Sequence, residues 1–191
     1  MKVLKPLFCL ILVLPLWGCE ELEELLEEEF DVNVSFNRQI HIDIQPTGDP
    51  TEAVSFSESA VINLTNAPEL DEFRETNNRT EVTAININRI RYFYKDVAGN
   101  ENAVVAAEFQ IPLIVAAPDV FGTPQVNLFE AATTPNPNII DGDFTNINSL
   151  LNNLTGFSTL ELEYVGSVSD NPIEFTVDVT IDATLTLEIQ V

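Results

Sequence analysis

The chain holds 191 residues, 45% hydrophobic and 8% aromatic, with 31 acidic against 8 basic side chains and a net charge of −23. That length suffices for one domain with its own core, which needs neither disulfide staples nor a metal to hold it. The charge excludes nucleic acid as a partner, because such binding rests on cations that neutralise phosphates.

Lys2 and Lys5 precede an apolar run from Leu7 to Trp17 broken only by Pro15, the order of a secretion signal over residues 1–18. The run is too short for a membrane span, which takes about 20 apolar residues, and seven of the ten residues after Cys19 are Glu. Leu16-Trp17-Gly18-Cys19 resembles a bacterial lipobox, although a Trp at its second position is unusual. The resemblance implies cleavage before Cys19 and lipidation of its thiol, with anchoring in the bacterial outer membrane. Two or three acyl chains, at about 0.8 kcal/mol per buried methylene, hold a protein there stably. Loss of Lys2 and Lys5 would leave six basic side chains against 31 acidic ones, a net charge of −25. With Cys9 removed and Cys19 acylated, no thiol pair is left for a disulfide, zinc or redox centre.

Residues 19–31 read as the lipidated cysteine and an acidic spacer. Leu22, Leu25, Leu26 and Phe30 share one side of a helical wheel, yet Glu20 with Glu24 and Glu23 with Glu27 repel at four-residue spacing. The segment holds a domain off an anionic membrane. It also resembles the surface-export signals of Bacteroidota lipoproteins, which implies display at the cell surface.

From Val32 the pattern becomes period two. Val32, Val34, Phe36, Ile40, Ile42 and Ile44 alternate with polar residues, and so do Val54, Phe56, Ala60, Ile62 and Leu64, which predicts two strands. The turn formers Pro46 to Pro50 between them suggest a hairpin. A third strand spans about Val82 to Lys95. Its apolar phase slips from Ile85 and Ile87 to Ile90, Tyr92 and Tyr94, the mark of a bulge near Asn88-Arg89. Arg89, Arg91 and Lys95 then share a face with Phe93, and Glu161, Glu163 or Glu174 are the expected cross-strand carboxylates. The alternative is a site for an anionic ligand.

Val105 to Val115 alternate again, with Pro112 pushing that strand toward an edge or bulge. The longest run, Ile173 to Val191, exceeds the usual strand and is expected to bend near Asp182-Ala183 and serve two sheets or two ladders. Two short helices are expected. One lies around Asn66 to Phe73; the other starts near Asp143, carries Ile147, Leu150, Leu151 and Leu154 on one side and stops at Gly156. About nine strands with two short helices predict an all-β, antiparallel β-sandwich over residues 32–191. The order of helix, long strand, polar turn and strand occurs twice, over about 60–115 and 125–191, so the single domain reads as two similar halves. By pattern alone it is similar to small β-sandwich lipoproteins of Bacteroidota, and no residue roles follow from that.

The chemistry is sparse. His41 is the only histidine and lies on a polar strand face with no nucleophile elbow, so no catalytic residue is assigned. No phosphate-binding or dinucleotide fingerprint is present. Glu161 with Glu163, and Asp178 with Asp182, follow strand alternation rather than a catalytic dyad. Sugar stacking has little to work with, because Trp17 leaves with the signal and only three tyrosines occur. Asp141-Gly142-Asp143 resembles the start of a calcium loop, with Asp141 and Asp143 as ligands, but Asn146 and Asn152 stand where such a loop needs glycine and glutamate. The competing reading is a turn capped by Asp143.

These features point to a membrane-anchored envelope lipoprotein that is not an enzyme. Its expected role is a noncatalytic binding or assembly module for a protein or surface polymer such as a glycan, with no cofactor unless calcium binds. A purely structural envelope protein is the alternative, and a carboxylate-based hydrolase has the least support. The loops Thr47 to Thr51, Asp96 to Asn102 and Thr133 to Asp143 are the candidate contact segments.

Overall fold

The computed structural model describes residues 29–64, 66–76, 80–112, 119–140, 142–153 and 159–189. Over these the chain forms nine strands: β1 (Glu29–Ile44), β2 (Val54–Asn63), β3 (Thr80–Gly99), β4 (Val104–Ile111), β5 (Asp119–Gly122), β6 (Val126–Asn127), β7 (Asn138–Ile140), β8 (Thr159–Val168) and β9 (Ile173–Ile189). Three short helices accompany them: α1 (Pro68–Thr76), α2 (Leu128–Ala132) and α3 (Thr145–Asn153). The all-β sandwich stands as expected. The third helix, α2, is additional; the Asn127 side chain caps it by accepting from the Glu130 N–H.

One sheet has the order β1-β9-β3-β7, the other β2-β8-β4-β5, with β6 added to the start of β4. Every ladder is antiparallel. The eight main strands change sheet at each connection except β4 to β5, which is a jelly roll. The two strings α1-β3-β4 and α3-β8-β9 interlock, since β3 ladders with β9 and β4 with β8.

Period-two patterning turns one row of each strand inward. Ile173, Phe175, Val177, Val179, Ile181, Ala183, Leu185 and Leu187 of β9 are all buried, as are Val34, Phe36, Ile40, Ile42 and Ile44 of β1. Removing each such large side chain from water contributes about 1.5–3 kcal/mol. Aromatic rings fill the middle: Phe109 packs at a tilt against Tyr164 at 4.8 Å and meets Tyr92 edge-on at 5.3 Å, while Tyr94 meets Phe175 at 6.0 Å. The Tyr94 and Tyr164 hydroxyls hydrogen-bond to each other at 2.8 Å in the core, which satisfies two polar groups that burial would otherwise penalise.

The expected hairpin does not form. β1 ladders with β9, β2 with β8, and the two strands lie in opposite sheets. Alternation specifies which side of a strand is buried, not which strand lies next to it. The 17-residue β9 offers β1 a matching run for all 16 of its residues, and β2 then faces β1 across the core.

β9 serves two ladders, with β1 on one side and β3 on the other, inside a single sheet. Its ladder to β1 runs from Glu29↔Glu188 to Ile44↔Ile173 without a shift at Asp182-Ala183. The irregularities fall on β3, at Val82/Ala84, Ile87/Arg89 and Lys95/Ala98. The second is the expected bulge, and the burial of Ile85 and Ile87, then Ile90, Tyr92 and Tyr94, follows it. β4 is not the expected edge strand: it lies between β8 and β5 and ends at Ile111, so Pro112 and its missing N–H fall beyond the strand; Leu113 and Val115 lie outside the described residues.

Candidate functional site

Strand register gathers the turns that follow β1, β3 and β8 at one end of the sandwich, because Ile44, Gly99 and Ile173 lie in one row across the first sheet. Asn171 ties them together. It is 1% exposed, and its Oδ1 accepts from the Thr47 N–H at 2.8 Å. Its Nδ2 donates to the Thr47 hydroxyl, the Asp49 carbonyl and the Glu52 carbonyl at 3.1, 2.9 and 3.1 Å. Its own N–H donates to the Pro50 carbonyl at 2.9 Å. A buried amide that satisfies donors and acceptors of a loop fixes that loop's conformation.

The other turns join the same frame. The Asn100 N–H donates to the Pro172 carbonyl at 2.9 Å. Gly99, at φ +122°, passes so close that a Cβ would lie 2.4 Å from that carbonyl oxygen, so glycine is required there. The Val104 N–H donates to the Ser169 hydroxyl at 3.0 Å, and Asn127 Nδ2 donates to the Glu101 carbonyl at 2.9 Å. Within the first loop, Asp49 accepts from the Thr51 N–H at 2.9 Å and from its hydroxyl at 2.8 Å. These two bonds, the backbone one foremost, hold the Asp49 carboxyl below its ordinary pKa. The result is a set of ordered turns that expose Asp49, Glu52 and Glu101.

Two of the three candidate loops, Thr47 to Thr51 and Asp96 to Asn102, therefore meet here, joined by Ser169 to Pro172. Thr133 to Asp143 leads away from this end into β7, which ladders with Ile90 to Tyr92. Of the proposed calcium ligands, Asp141 lies outside the described residues. Asp143 is exposed and accepts from the Thr145 N–H at 3.0 Å. Hydrogen bonds from the Thr145 side chain and backbone, in that order, lower its pKa. No group of three or more His, Cys, Asp or Glu able to hold a metal occurs among the described residues. Cys19 lies outside them too.

The outer face of the first sheet corrects the expected ion pairs. Arg91 forms a fork on Asp182 at 2.8 and 2.6 Å, and Lys95 pairs with Asp178. Both partners lie on β9, diagonal to the cations, whereas Glu161 and Glu163 belong to β8 in the other sheet. Glu174 instead faces His41 at 3.4 Å. Burial raises the Asp182 pKa, but hydrogen bonds from Arg91 and Ser35 and the charges of Arg91 and Arg89 outweigh it, and the carboxyl ends below its ordinary value. His41 also meets the Thr176 hydroxyl at 3.4 Å and stays more than half exposed.

Sequence reasoning missed three groups. Asn171 follows Asp170 and precedes Pro172, which signals a turn but not a buried hub. Asn148 and Asn152 of α3 cover the edge of β3: Asn148 accepts from the Ile87 N–H at 2.7 Å and donates to its carbonyl at 3.1 Å, while Asn152 accepts from the Ile85 N–H at 2.8 Å. Their four-residue spacing on a helix was the available signal. The tyrosine hydroxyls left no trace beyond residue type.

No family model and no curated protein matches the chain. Among solved structures it is similar to a chain from "Structure of Turnip Yellow Mosaic Virus at 100 K", at 9% identity and a TM-score of 0.34, covering 85% of this chain and 93% of that one. It is also similar to a chain from "Structure of infectious bursal disease virus Gx strain", at 11% identity and a TM-score of 0.27, covering 86% of this chain and 37% of that one. The jelly-roll assignment rests on the strand order alone.

Proposed function

We propose that the chain is a lipid-anchored lipoprotein of the bacterial outer membrane that acts as a noncatalytic binding or assembly module, presenting its ordered turn end to a protein or surface polymer. The observation that carries this reading is the polarity of β1. Its first residue, Glu29, lies opposite Glu188, and its last, Ile44, opposite Ile173 beside the Asn171 hub. Fifteen steps of about 3.3 Å separate them, so the turn end stands about 50 Å from the point where the chain enters the domain. Cys19 lies ten residues before Glu29. An anchor at Cys19 thus holds the sandwich by one end and points the turns away from the membrane.

The signal sequence and the lipobox-like Leu16 to Cys19 support the anchor, and the acidic spacer supports display at the surface. The test combines two measurements in native cells. Fatty-acid labelling should mark the parent protein and not Cys19→Ala. A photo-crosslinking residue at Thr51 or Asn102 should capture a reproducible partner that the same residue at Glu81, at the other end, does not. Equal labelling of both proteins removes the anchor, and capture only from Glu81 removes the turn end as the contact surface.

A further inference from the structure

The two sheets treat their edges differently on the two sides of the sandwich. On one side the edge strands are short, with three residues in β7 and four in β5, and α3 covers the β3 edge with Asn148 and Asn152. On the other side the edge strands are β1, with 16 residues, and β2, with 10. Among the described residues each of these pairs on one side only. A long strand with an unpaired edge is a template for another strand, and natural proteins blunt such edges with short length, bulges, proline or charge.

β1 and β2 lack most of these devices, although α1 lies against β1. The β1 ladder has no register shift, and no proline occurs in either strand. In a chain with 31 acidic residues, Val32 to Ile42 carries none and β2 carries only Glu58. β1 carries its acids only near its ends, at Glu29, Asp31 and Asp43, so repulsion between copies has least to act on along its middle.

One charged residue breaks the pattern. Arg38 stands in the apolar phase of β1, between Phe36 and Ile40 and opposite the buried Val179. A cation facing a core must bring its head back to polar groups. Arg38 does so at the edge: Nε donates to the Val61 carbonyl of β2 at 2.9 Å, and Nη1 donates to the Asn37 carbonyl of β1 at 2.7 Å. It holds one carbonyl from each of the two adjacent edge strands and lays a charge across the gap between the sheets.

We infer that Arg38 guards this open side of the sandwich, keeping β1 and β2 from adding a strand of a second copy of the chain. An inward-facing charge on an edge strand favours the single copy because pairing would strip the guanidinium of its carbonyls and of water. The inference does not depend on lipidation or on the identity of any partner.

The test is sedimentation of the full chain in nonionic detergent, which sequesters the apolar leader and any acyl chain, together with amide hydrogen exchange. The parent and Arg38→Lys, which keeps a cation able to reach a carbonyl, should remain monomeric at all concentrations. Arg38→Met, similar in length and unable to donate, should shift reversibly to dimers or larger species as concentration rises, and amides of β1 and β2 should gain protection in them. Arg38→Gln, too short to span to Val61, is judged by the same readout. Monomeric behaviour of both variants, or association without new protection in β1 and β2, overturns the proposal. So does precipitation of both with loss of the β spectrum, which would make Arg38 a stabilising residue only.

Discussion

Thr47 and Asn171, 124 residues apart, bond reciprocally: the Thr47 N–H donates to Asn171 Oδ1 at 2.8 Å, and Asn171 Nδ2 donates back to the Thr47 hydroxyl at 3.1 Å. The pair closes the connection between β1 and β2 onto the turn between β8 and β9. It makes the two loops one surface, and the order of that surface depends on a single buried amide.

Replacing Asn171 by Ala should therefore cost about 2–3 kcal/mol in denaturant unfolding, because it strands several donors and acceptors at once. Amide exchange should accelerate at Thr47 to Glu52 while the β9 amides stay protected relative to global unfolding. Uniform acceleration over the whole domain would mean that Asn171 does not order the loop locally.

The β9 register gives a paired test. Val179 is 1% exposed, whereas Thr180 sits on the outer face and donates to Asn37 Oδ1. Val179→Asp buries an unpaired charge and should destabilise by more than about 3 kcal/mol, and Thr180→Asp by less than about 1 kcal/mol. Equal melting of the two variants contradicts the register.

Acid stability should depend on Asp182. Its folded pKa lies below that of the unfolded chain because of Arg91 and Ser35, so its contribution is present above the unfolded value of about 3.9 and is lost as pH falls through the folded value. Asp182→Asn should flatten the loss of stability on the acid side while lowering stability at neutral pH. An unchanged acid limb would show that the pair with Arg91 contributes nothing to folding.

Alkali acts on the three tyrosines, all of which are buried: Tyr92, Tyr94 and Tyr164. Burial, reinforced by their mutual proximity, pushes the phenols of Tyr92 and Tyr164 far above the ordinary value, and burial raises Tyr94 as well. Groups with a raised folded pKa contribute stability that is complete below the unfolded value of about 10 and lost as pH rises beyond it. Phenolate absorbance should appear only with unfolding, in one cooperative step. Independent titration near pH 10 would place at least one hydroxyl in water.

Local chemistry was legible in the sequence wherever one strand carries its own answer. The alternation of β1 and β9 declares which side is buried, because a strand has only two faces, and the phase slip at Ile87 to Ile90 declares a bulge. The net charge was likewise readable as composition. The tertiary structure alone decided which strands are neighbours, since edge-to-edge pairing involves backbone groups that every residue shares. For that reason β1 and β2 look like a hairpin in sequence and stand in opposite sheets. The same limit applied to long-range polar partners: Asp182 for Arg91, Thr47 for Asn171 and Val61 for Arg38 lie between 23 and 124 residues apart. Only closure of the sandwich brings them within hydrogen-bonding distance.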